Sequence, residues 1–196
     1  MPTRTYLEQT NLDELRPAAP PGDDVTVLQV EDCAPSLWRR LYTEVGAAYH
    51  WIDRLGWTDA DIQAYLSDPA VSLWVLTVTG EVAGYFELRK HPDDAVRLKP
   101  DTTDDHLSDP VASGDHLIDP VASGFSRTFS VEIAYFGLLP AYVGRGLGKY
   151  LLSEAAARAW TLQPSRVWLH TSTLDHPAAL PNYLARGFSI FRVEQY

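Results

Sequence analysis

Hydrophobic and polar residues follow two periods along this chain, in short blocks separated by glycine and proline. Alternation with a period of two predicts strands over Val25–Val30, Val71–Thr79, Val82–Lys90, 128–139, Arg166–Thr171 and Phe188–Val193. The Gly80-Glu81 junction between the second and third of these predicts a β-hairpin. Helical spacing runs through Leu37, Trp38, Leu41, Tyr42 and Val45, starting behind Pro35 and ending at Gly46. Thr58 is placed to cap a helix over 59–67. A longer helix from Leu147 to about Leu162 carries Leu147, Leu151, Ala155, Ala159 and Leu162 on one face and stops before Pro164. A last helix is expected over His176–Arg186, with Gly187 as its left-handed C-cap. Residues 1–23, closed by Pro17, Pro20 and Pro21, read as an arm or a short edge strand. Strands and helices alternate, but hairpins are mixed in, so the fold class is α/β with a mixed sheet.

One stretch departs from both periods. Residues 105–114 (DHLSDPVASG) and 115–124 (DHLIDPVASG) are a direct repeat differing at one position. The surrounding run, about 91–127, is rich in Asp, Ser and Pro and has little to bury, which predicts a poorly ordered insertion between two strands. Its Asp and His residues lack the glycine and terminal glutamate of a calcium loop, so no metal site is expected there.

Composition narrows the setting. The 196 residues, 45% hydrophobic, are enough for one core and predict a single domain over 1–196. A net charge of −10 argues against a general nucleic-acid binder, which needs a basic footprint. No apolar run reaches the roughly 18 residues of a membrane span, and the opening residues lack a signal-peptide core. The single Cys33 has no internal disulfide partner, as fits a reducing, cytoplasmic setting. Whether the chain is a monomer or a homodimer is left open.

Chemistry concentrates in residues 131–149. An aromatic-rich strand ends at Pro140, and a loop with Gly144, Gly146 and Gly148 opens directly into a helix. Glycine admits close backbone approach, and the free N–H groups of a first helical turn attract anions, so this is a phosphate cradle. A P-loop does not fit, because Gly148-Lys149 is followed by Tyr150 and no glycine occupies position 143. The dinucleotide fingerprint fails from both Gly144 and Gly146, where the third position falls on Lys149 and Leu151.

The loop resembles motif A of the GNAT N-acetyltransferase superfamily, Gln/Arg-x-x-Gly-x-Gly/Ala at the head of a helix, with Gly146 and Gly148 as the signature glycines. Val143 stands at the usual Gln/Arg position. The run His176 to Phe188 is similar to motif B, with Ala179, Tyr183, Gly187 and Phe188 in register and His176 replacing the leading Asn. The resemblance implies a mixed, mostly antiparallel central sheet flanked by helices. It also implies acetyl-CoA as co-substrate and direct transfer of its acetyl group to a primary amine. On that reading the pyrophosphate lies on Val143, Gly144, Arg145, Gly146, Leu147, Gly148 and Lys149. The Phe136 amide faces the thioester, and Gly137 and Leu138 pair with the pantetheine arm.

The same resemblance supplies catalytic candidates. Glu132, fourteen residues before Gly146, matches the glutamate base of the histone-acetyltransferase branch, although a solvent-facing or Arg-paired carboxylate is the other reading of this residue. Tyr183 falls where the family protonates the departing thiolate, though its spacing with Leu180 and Leu184 also suits packing. Glu87 is a second possible base or amine anchor, or else an exposed charge. Tyr49, Trp51 and Asp53 lie where the family builds its acceptor site, and aromatics beside an acid suit a cationic or amide-bearing amine. A non-catalytic acyl-CoA-binding module is the competing expectation, supported by Val143 and His176.

Overall fold

The computed structural model describes residues 1–92 and 129–195. The predicted repeat insertion therefore falls almost wholly outside the described residues. Seven strands form one sheet: β1 (Thr3–Gln9), β2 (Val25–Val30), β3 (Val71–Val78), β4 (Glu81–Pro92), β5 (Phe129–Leu138), β6 (Val167–Ser172) and β7 (Ser189–Gln195), in the order β2-β3-β4-β5-β6-β1-β7. Among the described residues four α-helices cover it: α1 (Pro35–Gly46), α2 (Asp59–Leu66), α3 (Leu147–Thr161) and α4 (Ala179–Ala185). Every neighbouring pair is antiparallel except β5 and β6, so the sheet is mixed as expected.

Local chemistry explains most boundaries. Thr79 (φ 51°) and Gly80 (φ 85°) both lie in the left-handed region, the geometry of a tight hairpin turn whose twist matches its strands. Thr58 and Asp61 exchange side-chain and backbone bonds in a full capping box that starts α2. Alternation along β4 sends Phe86 and Leu88 to one face of the sheet and Tyr85 and Glu87 to the other. On the first face α3 lays down Leu151, Leu152, Ala155, Ala156 and Ala159, whose small side chains bring the helix close to the strands. On the second face α1 and α2 bury Trp38, Leu41, Tyr42 and Ile62 against Leu73, Val75 and Tyr85.

Two expectations are corrected. The N-terminal segment is neither an arm nor an edge strand, because β1 is paired on both sides, with β6 and with β7. Leu7 and Gln9 of β1 are fully buried. Gln9 is satisfied at both ends of its amide, accepting from Trp160 Nε1 at 2.9 Å and donating to the Arg186 carbonyl at 2.9 Å. The last helix begins at Ala179 rather than His176. Pro177 follows a histidine whose Nδ1 accepts from the Ala178 N–H at 3.1 Å, which holds residues 176–178 in a turn ahead of the helix.

Candidate active site

The strand before the glycine loop is fully paired on one side only. β5 runs beside β4 from Phe129 to Leu138, yet meets β6 at just two register positions, Val131 with Val167 and Glu132 with Trp168. A bulge follows at once: Glu87 faces Tyr135 and Leu88 faces Ile133, so Ala134 is the extra residue. Beyond it β5 and β6 part, and a cavity of about 680 Å³ opens between them. Phe136, Gly137 and Leu138 border the cavity from β5, and Leu169, His170 and Ser172 border it from β6. Backbone of β5 thus faces open space where a sheet partner would otherwise lie.

The glycine loop forms one end of this cavity. Gly144 (φ 81°) and Gly146 (φ 76°) adopt left-handed conformations that let the chain double back from the 3₁₀ turn at Pro140–Tyr142 into α3. Gly146 is the N-cap of α3 and supplies no side-chain cap, so the first-turn N–H groups keep their anion-binding character. Val143, Gly144, Gly146, Gly148 and Lys149 all border the cavity. Arg145 and Leu147 do not. The exposed Arg145 guanidinium lies 5.0 Å from the Tyr142 ring centroid, and the Leu147 side chain is buried in the core. Asn182 of α4 donates to the Gly148 carbonyl at 3.3 Å, fastening the two helices at the cradle.

Tyr183 projects from α4 into the same cavity, its ring edge-to-face with Phe136 at 6.2 Å. Burial pushes its phenol well above the ordinary value, with Asp175 adding to the effect, so the hydroxyl stays protonated. Glu132 borders the cavity on the opposite side of the parting. Two imidazoles flank its carboxylate: His91 Nε2 lies 2.7 Å from Oε2, and His170 Nδ1 lies 3.7 Å from Oε1, the latter an ion-pair distance rather than a hydrogen bond. Burial opposes ionisation of Glu132, but His170 and His91 outweigh it and hold the carboxyl below the usual range. These histidines come from β4 and β6, remote in sequence from Glu132, and no spacing rule in the chain links the three.

Glu87 is corrected on both readings, since it is neither on the cavity nor in solvent. It is fully buried and accepts from Trp38 Nε1 (2.7 Å), the Tyr65 hydroxyl (2.7 Å) and Arg54 Nη1 (3.1 Å). Burial lifts its carboxyl above the ordinary value, and three converging donors hold it as a structural acceptor. Its partner Arg54 is packed among rings, with its guanidinium carbon 4.2 Å from the centroids of both Tyr65 and Tyr135 and 4.7 Å from that of Trp57. Arg54 borders the cavity and was not marked by any sequence motif. Tyr49, Trp51 and Asp53 border it as well, with the Tyr49 ring 6.0 Å from that of His176. Trp51 packs edge-to-face on Tyr135 at 5.0 Å, and Asp53 accepts from the Tyr135 hydroxyl at 3.2 Å.

Residues 36–188 match the Acetyltransferase (GNAT) family. No curated protein matches in sequence. Among solved structures, an aminoglycoside acetyltransferase (meta-AAC0020) from an uncultured soil metagenomic sample superposes with a TM-score of 0.55 at 12% identity, covering 84% of this chain and 88% of that one. The aminoglycoside N-acetyltransferase AAC(6′)-Iy, solved with CoA, gives 0.53 at 17% identity, covering 91% and 97%. A GCN5-related N-acetyltransferase from Sphaerobacter thermophilus gives 0.62 at 14% identity; 98% of this chain is covered, and it spans 49% of that protein.

Proposed function

Because this chain belongs to the GNAT acetyltransferase family and is therefore an acyltransferase, we propose that it moves an acetyl group from acetyl-CoA directly to a primary amine of a small molecule or peptide. The observation that carries this reading is the parting of β5 from β6 beside an uncapped helix start. An open strand edge suits the amide-bearing pantetheine arm, and the glycine loop suits its pyrophosphate. Lys149 supplies positive charge at that end of the cavity.

In this reading the amine nitrogen attacks the thioester carbonyl, a C–N bond forms, and the C–S bond breaks. The Phe136 N–H polarises the carbonyl oxygen, Tyr183 gives its proton to the sulfur as it leaves, and the second proton that the nitrogen sheds as the amide forms returns through water to restore the phenol. Tyr183 suits that role because burial keeps it a phenol at every working pH. Glu132 draws the proton from the ammonium. The gap between an ordinary amine pKa of about 10.4 and an ordinary glutamate near 4.3 makes direct transfer about 8 kcal/mol uphill, and the low pKa of Glu132 widens it. Glu132 therefore acts as the charged head of a relay that passes the proton on to the imidazoles and water, rather than as its final holder. Direct transfer is favoured over a thioester on the protein, because Cys33, the chain's single cysteine, is buried and its thiol is pushed up to about 11.

The competing idea of a non-catalytic acyl-CoA-binding module loses its two supports. His176 has a local task in holding the turn before α4. Val143 leaves intact a cradle built from backbone. Thermal shift with acetyl-CoA, ATP and NAD is the first test, and only acetyl-CoA should stabilise the protein. Thiol release with an amine panel follows. Tyr183→Phe and Glu132→Gln should each lower kcat by about 10²-fold or more, with acetyl-CoA affinity held within about threefold. Full activity in the double variant would overturn the assigned roles.

A further inference from the structure

The charges lining the cavity are unevenly occupied. Each carboxylate there already has partners: Asp53 accepts from Tyr135, Glu132 holds His91 beside His170, and Asp175 accepts from the Thr171 hydroxyl and the Ser172 N–H, both at 2.7 Å. Among the cations, Arg54 is committed to Glu87, Arg4 has an interaction of its own, and Lys149 belongs to the first turn of α3 after the glycine loop. Arg89 differs from all of these. It borders the cavity from β4, half-buried, and its described contact is the Tyr65 ring, 5.9 Å from its guanidinium carbon. No described carboxylate pairs with it. In the sheet register it stands directly opposite Glu132.

We infer that Arg89 binds a carboxylate on the acceptor, and hence that the acceptor is an amine that also carries an acid group, such as an amino acid or a short peptide acid. This inference rests on the acetyl-transfer reading above and narrows its substrate class. A guanidinium grips a carboxylate through two parallel hydrogen bonds, which fixes orientation as well as charge. Side chains directly opposite on paired strands lie on the same face with Cβ atoms about 4.5–5.5 Å apart, so the Arg89 and Glu132 side chains leave the sheet side by side. One ligand can therefore present its amine to Glu132 while its acid lies on Arg89. A polycationic amine finds the reverse arrangement, with the acids occupied and a bare guanidinium facing it.

The test compares amino acids with their carboxamides, and with an aminoglycoside, in a thiol-release assay on the full chain with acetyl-CoA. The acids should show kcat/KM at least tenfold above the matched amides and above the aminoglycoside. Arg89→Gln should collapse the acid-to-amide ratio by 10-fold or more, chiefly through KM for the acid, and Arg89→Lys should restore part of it. Retained thermal stabilisation by acetyl-CoA shows that the variants are folded. Stabilisation by acetyl-CoA with amides or the aminoglycoside preferred, with no acid acetylated, or with a ratio unmoved in Arg89→Gln, overturns this inference and leaves the transfer reading standing. No acetyl-CoA binding and no thiol release with any amine overturns both.

Discussion

Glu87 shows how much one residue's setting can change its meaning. The alternation of the strand correctly puts it on the face shared with Tyr85, but alternation carries no information about what that face meets. Trp38, Arg54 and Tyr65 reach Glu87 from segments 20 to 50 residues away, and only the folded chain brings these donors together. The consequence concerns stability rather than chemistry. Removing one partner of a buried ion pair leaves the other charge uncompensated, at a cost of about 3–5 kcal/mol. Glu87→Ala should therefore lower the urea midpoint strongly while the protein that remains folded keeps its kcat; a kcat loss larger than the loss of folded protein would return Glu87 to the reaction. Glu132 and Tyr183 were legible because motif spacing fixes their distance from the glycine loop. His91, His170, Arg54 and Arg89 were not, since their roles arise only from strand register.

At the scale of elements, sequence and structure agree best where a local rule acts alone. The hairpin turn, the Thr58 capping box and the left-handed glycine after α4 are each written in a few adjacent residues. The start of α4 was misplaced because a histidine accepting a backbone bond competes with the helix, which periodicity cannot register. Two glycines separate fold from site. Gly187 has φ 92°, and a Cβ there would lie 1.8 Å from the Glu14 carbonyl oxygen. Its left-handed backbone alone costs an L-residue about 1–2 kcal/mol, and the clash with a main-chain atom adds to that. Gly187→Ala should lower Tm by more than about 5 °C. Gly148 borders the cavity, and the nearest atom to an added Cβ is Leu138 Cδ1 at 3.7 Å, an ordinary contact. Motif A admits alanine at this position, so the larger Gly148→Leu is the informative change: it should weaken acetyl-CoA binding about tenfold or more by filling space the ligand needs, with Tm lowered far less than in Gly187→Ala. Calorimetric melting and a binding titration on the same two proteins check both.

For the whole molecule, the feature least visible in the sequence is the place of β1. A polar, proline-closed segment at one end of a chain reads as peripheral, whereas pairing on both sides makes it the seam between β6 and β7. Nothing local distinguishes an edge strand from a seam, because the distinction lies in partners more than 150 residues away. Removing residues 1–10 would uncover the edges of β6 and β7 together and delete the buried Leu7 and Gln9. The shortened chain should lose its cooperative unfolding transition by circular dichroism, whereas a dispensable arm would leave that transition unchanged. The same seam also sets an order of events during synthesis. Both partners of β1 lie beyond Arg166, so at about 5–20 residues per second the strand waits many seconds after it is made without either neighbour. β1 is locked in place by two strands made more than 150 residues after it, and this part of the sheet closes only when translation has passed β7.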